Sequence, residues 1–505
     1  MTRNALFRTK SIEQSIADTD EPGHQLKKAL GPIDLIVFGV GVVIGTGIFV
    51  LTGEAAGIEA GPAVALSFVA AAIACGLAAL CYAEFASTVP VAGSAYTFSY
   101  ASLGELVAWI IGWDLILELA LGASTVAVGW STYLQSLLSS AGITLPSSIA
   151  GDKATVNVTA ALIVLILTAV ICLGIKVSSR INAVAVALKV SVVLLVIVAG
   201  FFYVKASNYS PFIPPAGSPG ANPAEPATPS LLQELGFSPG AFGVSGIFTA
   251  AATVFFAFIG FDIVATAAEE TKKPQRDMPI GIFGSLAVCT ALYVLVSIVI
   301  TGMVKFNKID AKAPLSAAFK DVGQGTIATL VDVGALLGLT TVMMILMLGQ
   351  SRVFFAMSRD RLLPDVFAKV SPRTGTPVVT TVVTGVVVAI IAALVPLTEL
   401  AKLVNIGTLF AFIVVSIGVV VLRRSRPELK RSFRTPLVPL VPILSVLASL
   451  YLMLNLPLAT WERFIVWMVV GLVIYFIYSR RRSTLARGYK RPDNMKPLLT
   501  DTPAR

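Results

Sequence analysis

The chain has 505 residues, of which 56% are apolar and only 13% are charged, and its mean hydropathy is +0.85. Soluble domains carry about 25% charged residues, so this composition excludes a soluble protein and indicates an integral membrane protein. The net charge of +10 would suggest nucleic-acid binding in a soluble chain, but here it must first be weighed against membrane orientation. The single histidine, His24, excludes histidine-based catalysis inside the membrane, and the four cysteines lie in apolar runs that are typical of core residues.

Long gaps between charged residues predict the membrane-spanning helices, because a spanning helix needs about 20 apolar residues. Ten such gaps lie at 34–54, 54–84 (which contains Glu59 near its start), 153–176, 234–262, 277–305, 332–352, 373–399, 402–423, 434–462 and 463–480. Two further apolar segments, 102–131 and 181–204, carry charges within them. We therefore predict an all-α integral membrane protein with twelve transmembrane helices.

The basic residues predict the orientation of these helices. With the N-terminus in the cytoplasm, 29 Lys and Arg residues fall inside and 8 fall outside, which agrees with the positive-inside rule. Both termini are then cytoplasmic, and the net charge no longer indicates nucleic-acid binding. The predicted parts are a cytoplasmic tail (1–30), five helices (31–205), an extracellular proline-rich loop (206–241) with a short helix at 231–235, five helices (242–423), two further helices (424–480) and a cytoplasmic tail (481–505).

Glycine-rich sequences interrupt the first and sixth predicted helices. The first contains IGTGIF at 44–49, and the sixth contains FFAFIGFD at 255–262. These helices open two halves of five helices each, and because five is odd the second half enters the membrane from the opposite side. Interrupted helices at matching positions of an inverted repeat are typical of a transporter binding site.

Five ordered motifs show a resemblance to a known family. They are IGTGIFVLTG (44–53), CYAEFASTVPVAGSAYTFSYASLGE (81–105), GFDIVATAAEETKKPQRDMPIGI (260–282), GQSRVFFAMSRDRLLP (349–364) and NIGTLFAFIVVSIGVVVLRR (405–424). The chain resembles the bacterial branch of the cationic amino acid transporter family, within the amino acid–polyamine–organocation superfamily. This resemblance implies a leucine-transporter fold with a 5+5 inverted repeat, the substrate held between broken helices 1 and 6, and a place in the bacterial plasma (inner) membrane.

The two breaks suit a zwitterionic α-amino acid. Amides at the start of a resumed half-helix attract a carboxylate, whereas the orphan carbonyls that end the other half-helix attract an ammonium group. The predicted substrate-binding residues are Val43, Ile44, Gly45, Thr46, Gly47, Phe256, Ala257, Ile259 and Asp262. The alternative is that Gly45 and Gly47 only form a small-residue surface for helix packing.

Three charged residues inside predicted helices are candidates for coupling. Lys189 either lies beside the first-helix break as a fixed ammonium, which the resemblance favours, or extends to the inner interface. Asp262 and Glu118 are predicted proton carriers; the alternatives are a helix N-terminal cap for Asp262 and a structural carboxyl for Glu118. Asp114 shares a helix face with Glu118 and is its predicted pairing partner.

Acids and bases on the predicted inner face form a separate group. Salt bridges that close the cytoplasmic side are expected between the acids Glu84, Glu269 and Glu270 and the bases Lys272, Lys273 and Arg276.

Residues of the predicted eighth helix indicate which substrate side chains the site accepts. Its Met343, Leu346 and Met347 offer a bulky apolar face without an acid, and burying an unpaired cation there would cost several kcal/mol. Alanine, valine or leucine are therefore the expected substrates, although the family resemblance implies cationic ones, and the methionine-rich run is equally compatible with simple packing.

The function expected from these features is proton-coupled import of L-amino acids by alternating access, not enzyme catalysis. An amino acid exchanger and a carrier of lysine or arginine are the nearer alternatives, and a membrane sensor or a channel is a remote one. No cofactor is expected. No sodium site is expected either, because the charge of Lys189 would repel the sodium ion. The expected partners are the amino acid, protons and membrane lipid, without nucleic acid, and no protein partner is indicated.

Overall fold

The structure, a computed structural model, describes residues 8–10, 28–89, 94–152, 154–174, 179–221, 228–237, 240–310, 313–371, 374 and 376–486. Most of the predicted tails and part of the proline-rich loop lie outside these residues. The described chain is helical and contains no β-strand, only the isolated bridges Leu30–Thr271 and Ser230–Pro457. The predicted all-α class is confirmed.

We label the apolar helices α1 to α12 in chain order. The first is in two halves, α1a (Pro32–Val43) and α1b (47–60), and is followed by α2 (Val64–Thr88), α3 (Glu105–Ser140), α4 (Val158–Cys172) and α5 (Ser179–Phe201). The sixth is also in two halves, α6a (243–258) and α6b (261–270), and is followed by α7 (Pro274–Met303), α8 (Gly325–Arg359), α9 (Val378–Leu394), α10 (Leu397–Ser425), α11 (Leu440–Leu454) and α12 (Leu458–Arg482). Short helices include Ser94–Ser102, Pro314–Asp321 and Leu231–Glu234, the last where the sequence predicts one.

Length and apolar composition make eight of the described helical stretches suitable for crossing a membrane. They are Gly47–Thr88, Glu105–Ser140, Asn182–Phe201, Gly243–Ala268, Pro274–Met303, Gly325–Arg359, Leu397–Ser425 and Leu458–Arg482. Four shorter apolar helices of 10–17 residues, namely α1a, α4, α9 and α11, accompany them. The protein is therefore a multi-pass membrane protein.

Two helices begin earlier than the charges predict. α10 starts at Leu397 and includes Lys402, whereas α12 starts at Leu458, ahead of the predicted start at 463. In both cases a proline immediately precedes the first helical residue, a position where its missing amide costs nothing. Glu399 near the start of α10 and Arg463 in the second turn of α12 pair across the two helices, with Arg463 donating to Glu399.

The broken helices lie in the centre of the bundle. In the most apolar part of α6, 94% of residues are buried, compared with 22% in α12. α3 packs along α8 and α10, and α7 packs against α1a and α2. Small residues allow close approach: a Cβ on Gly281 of α7 would lie 2.6 Å from the Cβ of Leu35. α12 therefore lies at the periphery of the bundle, and α1, α3, α6, α8 and α10 lie at its centre.

Candidate functional site

The break in α1 covers residues 44–46. α1a ends at Val43, Ile44 has an extended backbone with ψ 94°, and the chain resumes as a wider π-helix over Gly47–Leu51. The first amides of a helix have no intrahelical acceptor, and π-helical turns are frequent at functional sites. The break therefore leaves polar backbone groups inside the apolar bundle.

The break in α6 covers Ile259 and Gly260. α6a tightens to a 3₁₀-helix over Phe255–Phe258, Ile259 is extended with ψ 134°, and α6b starts at Phe261. Gly260 has φ +114°, a conformation that side chains disfavour. Glycine at this position therefore makes the sharp change of direction possible.

The two breaks contact each other. A Cβ on Gly47 would lie 2.2 Å from the Cα of Ala257, and one on Gly260 would lie 2.5 Å from Cγ1 of Val42. The absence of a side chain at Gly47 is therefore what allows α1b to pack this closely on α6a. Gly45 differs, because its Cβ would meet only the side chain of Val342 of α8 at an ordinary 3.5 Å.

Lys189 of α5 connects α1a with α8. Its side chain is 1% exposed, and its Nζ donates to the carbonyl of Gly41 at 2.6 Å. The aliphatic stem lies on Gly338, whose added Cβ would be 3.0 Å from Cγ of the lysine. Lys189 forms no ion pair with a carboxylate of the described chain and does not reach the interface, so its ammonium is held one turn before the α1 break.

Tyr293 of α7 lies between the two breaks and was not identified from the sequence. Its hydroxyl is 2.7 Å from the carbonyl oxygen of Val43 and 2.9 Å from that of Ala257. One hydroxyl has one proton, so it donates to one of these carbonyls at a time or shares the proton between them. A lone tyrosine in an apolar helix gives no sequence signal for this role.

Asp262 is buried at the start of α6b. One carboxylate oxygen accepts a hydrogen bond from the amide of Gly260 at 3.3 Å, and the Ser94 hydroxyl donates to its backbone carbonyl at 3.3 Å. An acidic group at a helix N-terminus is favoured by the helix dipole. The N-cap residue of α6b is Gly260 and no side chain caps this helix, so Asp262 is not its N-cap; its carboxylate lies in the first turn, next to the α6 break.

Glu118 and Asp114 are buried on α3 without a hydrogen-bonding partner in the described chain. Thr408 of α10 lies near Glu118, but its hydroxyl donates to the carbonyl of Val404 at 3.1 Å. One oxygen of Asp114 faces Gly407, 2.7 Å from where a Cβ would be. The two acids do not hydrogen bond to each other, so the predicted pairing is wrong in this conformation.

The predicted apolar face of α8 is buried beside the breaks. Met343, Leu346 and Met347 are all buried, as are Phe256 and Ile259 of the α6 break. Leu346 lies over Gly122 of α3, 3.6 Å from where a Cβ would be. Thr46 lies over Gly129 of α3 in the same way, and its hydroxyl has no partner in the described chain. The α1 break is therefore bordered by α3 and α8.

The acids of the predicted inner face pair with bases other than the predicted ones. Glu84 accepts from Nε and an Nη of Arg423 at 2.9 and 2.6 Å and from the amide of Thr435 at 2.8 Å. Glu270 pairs with Arg352 at 3.6 Å, and the side chain of Glu269 lies outside the described residues. The predicted pairing of Glu84 and Glu270 with Lys272, Lys273 or Arg276 is wrong, because those bases are exposed while α8 and α10 bring arginines to the acids.

Comparison with known proteins identifies the family to which this arrangement belongs. Residues 30–474 match the family model described as "Amino acid permease". The chain is 49% identical over 491 residues to the branched-chain amino acid permease BcaP of Bacillus subtilis (strain 168), covering 96% of this chain and 99% of that protein. It is 47% identical over 487 residues to the methylthioribose transporter of the same organism, covering 95% and 99%.

A more distant relative is the vacuolar cationic amino acid transporter 2 of Arabidopsis thaliana. It is 40% identical over 429 residues, which cover 84% of this chain and 64% of the plant protein. The family match spans nearly all of the apolar helices, including both breaks. The chain therefore belongs to the amino acid permease family of the amino acid–polyamine–organocation superfamily, and it is a transporter, not an enzyme.

Proposed function

We propose that the protein imports small or branched neutral L-amino acids together with protons, by alternating access. The observation that carries this proposal is the contact between two helix breaks inside the bundle, at Gly47 and Ala257. Donor amides and acceptor carbonyls are thereby brought to one place, and an α-amino acid presents the complementary carboxylate and ammonium groups. In lipid, backbone groups of this kind are tolerated only where protein or a cavity surrounds them.

The proposed architecture has twelve membrane spans and a leucine-transporter fold with a 5+5 inverted repeat. Supporting it, α1 and α6 are both broken, and they open the halves at 31–205 and 242–423. The excess of basic residues, 29 to 8, supports cytoplasmic termini. The Bacillus relatives support a place in the bacterial inner membrane.

In the proposed site, the amides of Gly45, Thr46 and Gly47 bind the substrate carboxylate. The substrate ammonium binds carbonyls at the ends of α1a and α6a, which the sequence predicts at Val43, Ile44, Phe256, Ala257 and Ile259. Lys189 holds α1a through the Gly41 carbonyl, and its fixed charge disfavours a sodium ion there. Asp262 and Glu118 are the proposed proton carriers, because each is a buried carboxyl on an element that borders the breaks.

The apolar face of α8 and the name of one relative, a branched-chain amino acid permease, support a neutral substrate. A second candidate is transport of lysine or arginine. It is favoured by the unpartnered carboxyls of Glu118 and Asp114, which would pair with a substrate cation. A methylthioribose carrier is a further alternative that the other Bacillus relative raises.

The deciding experiment is uptake into proteoliposomes that contain the purified protein. Labelled alanine, valine, leucine, lysine, arginine and methylthioribose are supplied with and without an inward proton gradient, in sodium or in choline buffer. We expect neutral amino acids to accumulate with the proton gradient and to be indifferent to sodium. Sodium-dependent uptake would refute the coupling, and preferred uptake of arginine or methylthioribose would refute the assigned substrate.

A variant of the α8 face tests where the substrate side chain lies. Leu346→Ala is expected to admit larger side chains, such as phenylalanine, as competitors for alanine uptake, because Leu346 fills the space over Gly122. Leu330→Ala, at an exposed site of the same helix, is the matched control. An unchanged competition profile in Leu346→Ala would move the pocket away from α8.

A further inference from the structure

A groove opens at the face of the bundle where α1a and α7 begin, away from the helix breaks. Its volume is about 880 Å³. The lining residues come from α1a, the first turns of α7 and the segment between α10 and α11; they are Ile36, Gln275, Arg276, Pro279, Ile280, Phe283, Gly284, Ser432 and Phe433. None of them has a role in the proposed transport site.

The floor of the groove is apolar. Phe283 and Phe433 pack with their ring centroids 5.9 Å apart, and they connect α7 to the segment after α10. Ile36 lies against Gly284, whose added Cβ would be 2.6 Å from the end of the isoleucine side chain. Ile280 is 39% exposed. An occupant that covers this floor must therefore bring apolar surface.

The rim of the groove is basic. Arg276 lines it, Lys272 and Lys273 precede it in the chain, and Lys430 and Arg434 flank the lining residues Ser432 and Phe433. All five of these bases are exposed, and none forms an ion pair with another described residue.

The acids near this rim do not neutralise it. Glu84 forms ion pairs with Arg423 and Arg431, and Glu428 forms one with Arg426. Glu270 pairs with Arg352. Asp34 accepts the amide of Gly31 at 2.8 Å, and Asp277 is buried in the first turn of α7. Asp34 and Asp277 form no ion pair in the described chain, but the five bases outnumber these two acids, so the rim carries a net positive charge beside an apolar floor.

We propose that this groove binds an anionic phospholipid, with the acyl chains on the apolar floor and the headgroup phosphate at the basic rim. A free phosphate would leave the floor uncovered, and a zwitterionic lipid would leave the charge of the rim uncompensated. Clusters of basic residues at the membrane surface attract anionic lipids in this way. Because Ile36 belongs to α1a, the bound lipid contacts the half-helix that Lys189 holds.

The test is lipid retention by the full-length protein, measured by native mass spectrometry. Phosphatidylglycerol and phosphatidylcholine with identical acyl chains are added to the purified protein in detergent. We expect preferential retention of phosphatidylglycerol. In a Lys272→Gln, Lys273→Gln, Arg276→Gln triple variant, this preference should fall by at least about tenfold, since one surface lysine or arginine contributes about fivefold. Equal retention of the two lipids by the unmodified protein would overturn the proposal.

Two controls locate the site. Lys205→Gln, Lys305→Gln, Lys308→Gln removes three exposed lysines from other segments and should leave the preference unchanged. Ser432→Trp fills the groove from an exposed position while retaining the basic rim, and it should reduce phosphatidylglycerol retention. Retention unaffected by Ser432→Trp, or lost equally in the control triple variant, would show that lipid binds by surface charge alone.

A final arm separates the lipid from its headgroup. Glycerol phosphate at millimolar concentration should not displace phosphatidylglycerol, because it cannot cover the floor; full displacement would identify the site as a soluble-anion site. All readouts are binding measurements, so failure of this proposal leaves the transport proposal untouched.

Discussion

Removing the charge of Lys189 is expected to reduce transport strongly while leaving the protein folded. Lys189→Met is the cleanest change, because methionine retains the apolar stem that lies on Gly338 and loses only the ammonium group. Lys189→Ala removes the stem as well, and truncating a buried side chain of this size costs about 2–5 kcal/mol of stability. Comparing the two variants therefore separates the charge from the packing.

The expected magnitude follows from one contact. The Lys189 ammonium donates to the Gly41 carbonyl at 2.6 Å in a site that is 1% exposed. Hydrogen bonds to charged groups contribute about 1.5–3 kcal/mol, which corresponds to roughly 10- to 150-fold in an equilibrium or rate. In Lys189→Met the carbonyl of Gly41 loses this donor, so α1a keeps its packing on α5 and loses its hydrogen bond to it.

The assay is alanine or leucine uptake into proteoliposomes, with a thermal melt of each variant in detergent. Lys308→Met is the control for loss of a lysine charge, because Lys308 is exposed. Gly338→Ala is a graded test, since its Cβ would lie 3.0 Å from Cγ of Lys189 and displace the stem while the charge remains. We expect an intermediate rate for this variant.

Full activity of Lys189→Met would refute the reasoning, because the buried contact would then have no part in the cycle. A large loss of both melting temperature and activity in Lys189→Met, equal to that in Lys189→Ala, would assign the residue a purely structural role.

Further substitutions test the two breaks and the buried acids. Gly47→Ala should abolish the folded protein or its transport, since its Cβ would meet the Ala257 backbone at 2.2 Å, whereas Gly45→Ala should be tolerated in size-exclusion and melting measurements; equal behaviour of the pair would contradict the packing argument. Tyr293→Phe should slow uptake by about 2- to 13-fold, the value of one neutral hydrogen bond, and an unchanged rate would show that its hydroxyl between the two breaks has no part in transport. Asp262→Asn and Glu118→Gln should suppress acid-stimulated accumulation more than counterflow exchange, and identical pH profiles in all proteins would exclude both as proton carriers.

The helix breaks were predictable from the sequence because their cause is local. Gly45, Gly47 and Gly260 stand within short runs where a helix would otherwise continue, and the backbone departs from helical geometry at or next to these glycines. The short helix in the proline-rich loop was predictable for a similar reason, since Ser230 caps it through the amide of Gln233 at 3.2 Å.

Contacts between distant segments were not predictable in the same way. Glu84 and Arg423 are 339 residues apart, and in one sequence nothing distinguishes Arg423 from the bases at 272–276 as a partner. α10 and α12 start earlier than their charges predict because a charged residue need not end a helix: Glu399 and Arg463 pair with each other across the two helices. Tyr293 went unrecognised because its function depends on backbone carbonyls, which no sequence pattern displays.

Contacts to the two broken helices share one physical feature: side chains of intact helices donate hydrogen bonds to backbone carbonyls of α1 and α6. Besides Lys189 and Tyr293, Tyr133 of α3 donates to the carbonyl of Phe49 at 2.6 Å. Asn405 of α10 donates to the carbonyls of Ala252 and Thr253 at 2.7 and 3.2 Å. In lipid an unsatisfied carbonyl costs several kcal/mol, whereas exchanging one donor for another costs far less. In the proposed alternating-access cycle α1 and α6 move relative to their neighbours, and donors on side chains would allow the breaks to change partners without leaving their carbonyls without a hydrogen bond.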